Sequence, residues 1–315
     1  MKNPLKIIPW LVIAGFAWSL GFFYNVYYGG LIGRLRGMYY NKVALAAEVE
    51  GSKRLIIVGG SGAHYTVNSQ LMEEELGIPV FNFGLDGNLG LNVIFPTILE
   101  QVRPGDIVLI IPEYLMLLDE DGLGDRSTYF GVAVGKPGLG GVPPKQFAQD
   151  TFGLGVPSLR QLTKATIDIV KQVEVPDYYA DPITDWGDPT KTWERKSKWW
   201  EMTVRKPVTP HSIARIKQFR EELEAKEASL VISLPIIYAS TDERTVKNVE
   251  KTAEELGKIA PLITDEKLNL WTDVNLFADT HYHLKPEGRV IRSKELVEQL
   301  QPIIQSTISN KSGLN

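Results

Sequence analysis

Lys53-Arg54-Leu55-Ile56-Ile57-Val58-Gly59, running on into Gly60-Ser61-Gly62-Ala63-His64, is the stretch on which the fold turns. A short β-branched apolar run that stops at glycine reads as a strand buried on both faces of a parallel sheet. The same pattern returns at intervals that leave room for helices. Pro79 to Phe83 is a second strand candidate ending at Gly84, and Ile107 to Ile111 is a third, entered through the turn Arg103-Pro104-Gly105-Asp106. Helical patterns fill the gaps at Ser69–Leu76 and Leu91–Gln101. After a long interruption come a charged amphipathic helix at His211–Ala228 and a fourth strand at Leu230–Leu234. A helix at Thr245–Ile259, a short fifth strand at Leu268–Trp271 and a closing helix from Pro286 to Ser306 complete the series. Strands alternating with helices imply an α/β fold, a flavodoxin-like parallel sheet with helices on both faces.

The interruption, at about residues 116–210, is rich in glycine, proline and aromatics. Gly135, Gly138, Gly140 and Gly141 crowd around Pro137, and four tryptophans (Trp186, Trp193, Trp199 and Trp200) fall between Asp185 and Trp200. It reads as an insertion over the active-site face of one domain. The tryptophans suit either stacking on sugar rings or packing of the insertion onto the core or a membrane surface.

At the other end, Ile7 to Gly33 runs for 27 residues without a charge, against roughly 20 needed to cross a bilayer as a helix. That core is too long for a cleaved signal peptide. The expected organisation is therefore a transmembrane signal anchor over 1–33, a basic juxtamembrane linker over 34–52 and an α/β domain over 53–310. Lys2 and Lys6 flank one end of the apolar run and Arg34, Arg36 and Lys42 the other, so basic residues alone do not orient it. The very short leading tail and large following domain favour a single-pass protein with its body outside the cytoplasm.

Residues 48–315 hold 29 basic and 38 acidic side chains, a net charge of −9 that argues against nucleic acid as a partner. There is no cysteine, which removes disulfides, thiolate metal sites and cysteine nucleophiles.

Chemistry gathers in two places. A serine directly after a strand, in Gly59-Gly60-Ser61-Gly62, projects at the carboxyl edge of a parallel sheet, where open α/β folds bind ligands. Neither the phosphate-loop lysine nor the third glycine of a dinucleotide fingerprint follows. Far along the chain stands Asp279-Thr280-His281-Tyr282-His283-Leu284-Lys285-Pro286. It supplies a base for a serine nucleophile and a carboxylate to fix the base's tautomer. Asp279, His281 and His283 are also possible metal ligands, but no further cluster completes a shell, so no metal and no cofactor is expected. His64, three residues after Ser61, is either a pocket residue or part of a plain helix start.

Taken together these segments resemble the SGNH (GDSL-like) hydrolase superfamily. Gly59-Gly60-Ser61 is similar to its first block, and Asn82-Phe83-Gly84 to the second, whose glycine N–H helps bind the oxyanion. Asp279 to Leu284 is similar to the last block, with its catalytic Asp and His. The resemblance implies Ser61 as nucleophile, His283 as base and Asp279 as orienter, with the N–H groups of Ser61 and Gly84 as oxyanion donors. Gly60, His64, Asn82, Glu113 and His281 would line the pocket. Two departures stand out. The Asp-to-His spacing is one residue longer than usual if His283 is the base, and His281 is the alternative. The third block reads Ile111-Pro112-Glu113-Tyr114, so its asparagine donor is replaced by Glu113, which orients a neighbour or walls the cleft. With the anchor, the resemblance extends to proteins that modify bacterial envelope polymers. It implies an acyl-ester or envelope-glycan substrate and a membrane-bound acyl donor protein as partner. A lipid or small-ester esterase and a non-catalytic scaffold of a membrane complex are the alternatives.

Overall fold

The computed structural model describes residues 7–28, 30–156 and 178–312. Lys2 and Lys6 and part of the expected insertion lie outside them. The chain forms two compact units, Met1–Asn41 with Asp125–Asp181, and Lys42–Gly124 with Pro182–Asn315.

The larger unit is built on five parallel strands, β1 (Leu55–Gly59), β2 (Val80–Asn82), β3 (Ile107–Ile111), β4 (Ser229–Ser233) and β6 (Leu262–Ile263), in the order β2-β1-β3-β4-β6. Counting only these five, the order is 2-1-3-4-5, one of the two common doubly wound arrangements. All five residues of β1 and of β3 are buried, as their unbroken apolar runs require. Alternate residues then serve opposite faces. Leu55, Ile57, Leu109 and Ile111 share a core with Met72, Leu296 and Leu300, from helices α4 (Ser69–Leu76) and α11 (Pro286–Ser312). On the other face, α5 (Leu91–Leu99) packs on α9 (Pro210–Glu224), with Phe95 stacked on Phe219 at 4.1 Å between ring centroids. The short helix α3 (Ser61–Thr66) leaves β1 directly, and α10 (Glu243–Gly257) leads into β6.

One strand differs from expectation. Leu270–Trp271 (β7) is a strand, but it pairs with Ile237–Tyr238 (β5) in a separate two-stranded sheet. The fifth place in the main sheet belongs to β6, beside β4. The cause is local. Leu268 and Asn269 both turn through positive φ, and the Asn269 side chain donates to Leu234 O at 2.6 Å beyond the end of β4. That turn carries the chain off the sheet before β7 begins.

The smaller unit gathers the N-terminal helices and part of the expected insertion. α1 (Ile8–Phe23) runs into a π-helical turn at Tyr24–Tyr28, and α2 spans Leu31–Glu48. The helical run Ile8–Glu48 is long and apolar enough to cross a bilayer. Trp10, Leu11, Val12, Ile13, Phe16 and Leu20 are all more than half exposed. Helices α7 (Ser127–Ala133) and α8 (Pro144–Leu154) join this segment: Trp18 Nε1 donates to Phe152 O at 2.8 Å and Asn25 Nδ2 to Leu154 O at 2.7 Å. The stretch read as one insertion is therefore divided, with residues 125–156 in the smaller unit and 182–210 in the larger.

Candidate active site

β1 delivers Ser61 to the carboxyl edge of the sheet as the first residue of α3, where it is half-buried. β3 delivers Glu113 to the same edge, fully buried two residues past the strand. The two side chains meet: Ser61 Oγ donates to Glu113 Oε1 at 3.1 Å, and the Gly62 N–H donates to the same oxygen. Three glycines make room for this carboxyl. A Cβ at Gly60, Gly62 or Gly87 would overlap Glu113 side-chain atoms. Burial pushes Glu113 up to about 7; the Gly62 N–H opposes the rise, the charge of Asp86 adds to it, and the Ser61 hydroxyl opposes it. Glu113 Oε2 is buried with no hydrogen-bond partner among the described residues.

The loop after the short helical turn Val274–Leu276 brings in the second group. Asp279 Oδ1 and His283 Nδ1 are 2.8 Å apart, and both side chains are largely buried. An imidazole that donates its Nδ1–H to a carboxylate turns Nε2 to the chemistry, where it accepts a proton or, once protonated, gives one. This loop lies against the Ser61 helix. The His283 and Tyr65 rings are 4.5 Å apart, the Leu284 N–H donates to Tyr65 O at 3.2 Å, and Tyr65 is four residues after Ser61, on the same helix face. Tyr282 reaches the Glu113 corner: its phenol is pushed well above the ordinary range by burial, then by the Glu113 charge and by Tyr114. Ser61, implied as nucleophile, directs its hydroxyl hydrogen at Glu113 and not at His283, the implied base.

The other expected pocket residues have settled partners. His281 Nε2 is 2.6 Å from Trp200 O, within a group of Trp199, Trp200 and Tyr238, and Arg195 lies over both tryptophans. Burial lowers the His281 pKa, with Arg195 adding to the effect against the Trp200 carbonyl. Arg195 also donates to Asp279 O at 3.2 Å, tying this aromatic group to the Asp279 loop. His64 is buried rather than pocket-lining, with Nδ1 3.0 Å from Lys42 Nζ. Burial, then the charges of Lys42, Arg289 and His283, hold it well below the ordinary histidine range.

The Gly84 N–H donates to Asn82 Oδ1 at 2.8 Å, so this expected oxyanion donor is engaged within its own turn. The Asn82 amide donates to Asp188 Oδ1 at 2.9 Å, and Asp188 also accepts from the Ser69 N–H and hydroxyl. The Ser61 N–H stands at the first position of α3, where a helix has no carbonyl of its own to offer it.

Lys42 and Asp188 are the site-supporting residues that sequence reading missed. Lys42, fully buried, donates to Asn82 O at 2.8 Å and Gly84 O at 2.9 Å, pinning the turn after β2. A signal for it existed: Leu35, Met38, Tyr39, Lys42 and Ala46 form one buried stripe at helical spacing, and a lysine inside such a stripe needs acceptors. Among the described residues, no three His, Asp or Glu side chains cluster as a metal site.

No family model and no curated protein matches the chain. Among solved structures, the protein YxiM of Bacillus subtilis is similar with a TM-score of 0.36 and 14% identity. That alignment covers 79% of this chain and 56% of the other.

Proposed function

We propose that the protein is a membrane-anchored, serine-dependent acyl-ester hydrolase or O-acyltransferase of the SGNH type, with its α/β domain outside the cytoplasm. The observation that carries this is the 2.8 Å Asp279–His283 pair, in a loop packed on the helix that begins with Ser61. Ser61 attacks an ester carbonyl, and the acyl group then passes to water or to a sugar hydroxyl. An envelope glycan as substrate and a membrane-bound acyl donor protein as partner follow from the family resemblance and the apolar N-terminal helix. Neither a metal nor an organic cofactor is invoked.

A second reading is a non-catalytic scaffold with this fold. It is favoured by the engagement of Gly84 N–H by Asn82 and of Gly62 N–H by Glu113, which leaves few donors for an oxyanion. A fluorophosphonate probe separates the two. Labelling of the folded protein that disappears in Ser61→Ala supports the enzyme, and no labelling of a folded sample supports the scaffold. Acetylated glycans compared with short-chain lipid esters then sort the substrates.

A further inference from the structure

We infer that Glu113 is the group that takes the proton of Ser61 when its oxygen becomes a nucleophile, leaving the Asp279–His283 pair to serve the departing and arriving oxygens. This rests on the reading of Ser61 as the nucleophile.

The single hydrogen of the Ser61 hydroxyl is directed at Glu113 Oε1, 3.1 Å away. A base must lie within hydrogen-bond reach of the proton it removes, and Glu113 already does. The carboxyl is held there by shape, since Gly60, Gly62 and Gly87 each leave the space it fills. The large majority of buried polar side-chain atoms are hydrogen-bonded, whereas Oε2 here is buried with no partner among the described residues. Ionised, the group is held at a cost that a proton relieves. The groups that act on it are the Gly62 N–H, Asp86 from the turn after β2 and Ser61 itself, and its own charge is felt by Tyr282 of the Asp279–His283 loop. Burial, helped by the Asp86 charge, outweighs the Gly62 N–H and the Ser61 hydroxyl and sets its titration at about 7, where a base serves best near neutral pH.

The steps balance. In acylation, Ser61 Oγ bonds to the carbonyl carbon and its proton moves to Glu113. The bond to the leaving alcohol breaks, and that oxygen takes a proton from the His283 imidazolium, whose charge faces Asp279. In deacylation, the incoming hydroxyl gives its proton to His283 as its oxygen bonds to the acyl carbon. The Ser61–acyl bond breaks, and Ser61 Oγ recovers its proton from Glu113. Two groups thus divide the work usually given to one histidine.

The test uses the full-length protein in detergent, and the rate of Ser61 labelling by a fluorophosphonate between pH 5 and 9. Wild type is expected to label faster as pH rises through about 7. Glu113→Gln keeps the shape and is expected to label about 100-fold more slowly, without that rise. Asp86→Asn removes a charge that lifts Glu113 and is expected to move the midpoint to lower pH. It supplies the readout if Glu113→Gln does not fold. With esters, His283→Gln is expected to slow an alkyl ester more than a 4-nitrophenyl ester, whose leaving group needs no proton, while Glu113→Gln slows both equally. The inference is overturned if Glu113→Gln labels at the wild-type rate with the wild-type profile, or if Asp86→Asn leaves the midpoint unmoved. A folded wild type that never labels instead removes Ser61 as nucleophile, and this inference with it.

Discussion

Arg54 stands one residue before β1, and replacing it with methionine tests how firmly the Ser61 strand is held. Its guanidinium is buried and meets Asp106 in a two-bond fork, Nε to Oδ1 at 3.0 Å and Nη2 to Oδ2 at 2.7 Å. It also donates to Ala46 O at 2.9 Å and Gln101 O at 3.1 Å, so one side chain ties the end of α2, the chain after α5 and the start of β3 together. Asp106 in turn accepts from the Arg103 N–H at 2.8 Å. Arg54→Met leaves the Asp106 carboxylate, 2% exposed, without its cation. Removing one partner of a buried pair costs about 3–5 kcal/mol, whereas replacing both by well-packed neutral groups costs far less. For a domain of this size that predicts a fall in Tm of roughly 6–20 °C. The double variant Arg54→Met/Asp106→Leu is expected to recover a large part of the loss. The assay is thermal and urea unfolding of the full chain in detergent, followed by circular dichroism. A loss under about 1 kcal/mol in the single variant would refute the reasoning, because a desolvated, unpaired carboxylate is not that cheap.

Three other outcomes follow from the same physics. Glu113 is raised from its unfolded value to about 7, so between those values the native state binds more protons than the unfolded chain and stability falls as pH rises; Glu113→Gln is expected to be more stable than wild type at pH 8, by on the order of 3 kcal/mol, with the gap closing toward pH 4.5 in parallel denaturant melts. Lys42→Met leaves two buried carbonyls, Asn82 O and Gly84 O, without their donor; a loss of about 2–4 kcal/mol and faster amide exchange at Phe83 and Gly84 are expected, and unchanged exchange would show that the turn stands without the lysine. Deleting residues 1–28 removes most of the exposed apolar run and is expected to release the protein from a carbonate-washed membrane fraction that retains the full chain.

Much of the larger unit was legible because buried parallel strands and amphipathic helices write themselves as runs and periods. β1, β3 and α4 follow such patterns closely. β6 escaped because its ladder is only two residues long, Leu262 and Ile263, too short for any period, while the longer run at Leu268 drew the assignment to itself. Within the site, the Asp279–His283 pairing could be read because both residues lie in one short loop. The grip of Glu113 on Ser61 could not, since it depends on two strands lying side by side in register, Gly59 opposite Ile111. Lys42 looked like a basic residue flanking a membrane segment because charge counting takes no account of which helix face a residue occupies.

The terminal helix α11 packs on both α3 and α4, and Ser293 Oγ accepts from the Asn68 N–H between them at 2.7 Å. His283 stands 222 residues after Ser61, and Ser293 stands 225 after Asn68, so both reach this region from far along the chain. Ser61 and Glu113 both precede His283 by at least 170 residues. Removing α11 strips α3 and α4 of a shared packing partner and of the Asn68 clasp, so the footing of the Ser61 helix depends on the far end of the larger unit's sequence.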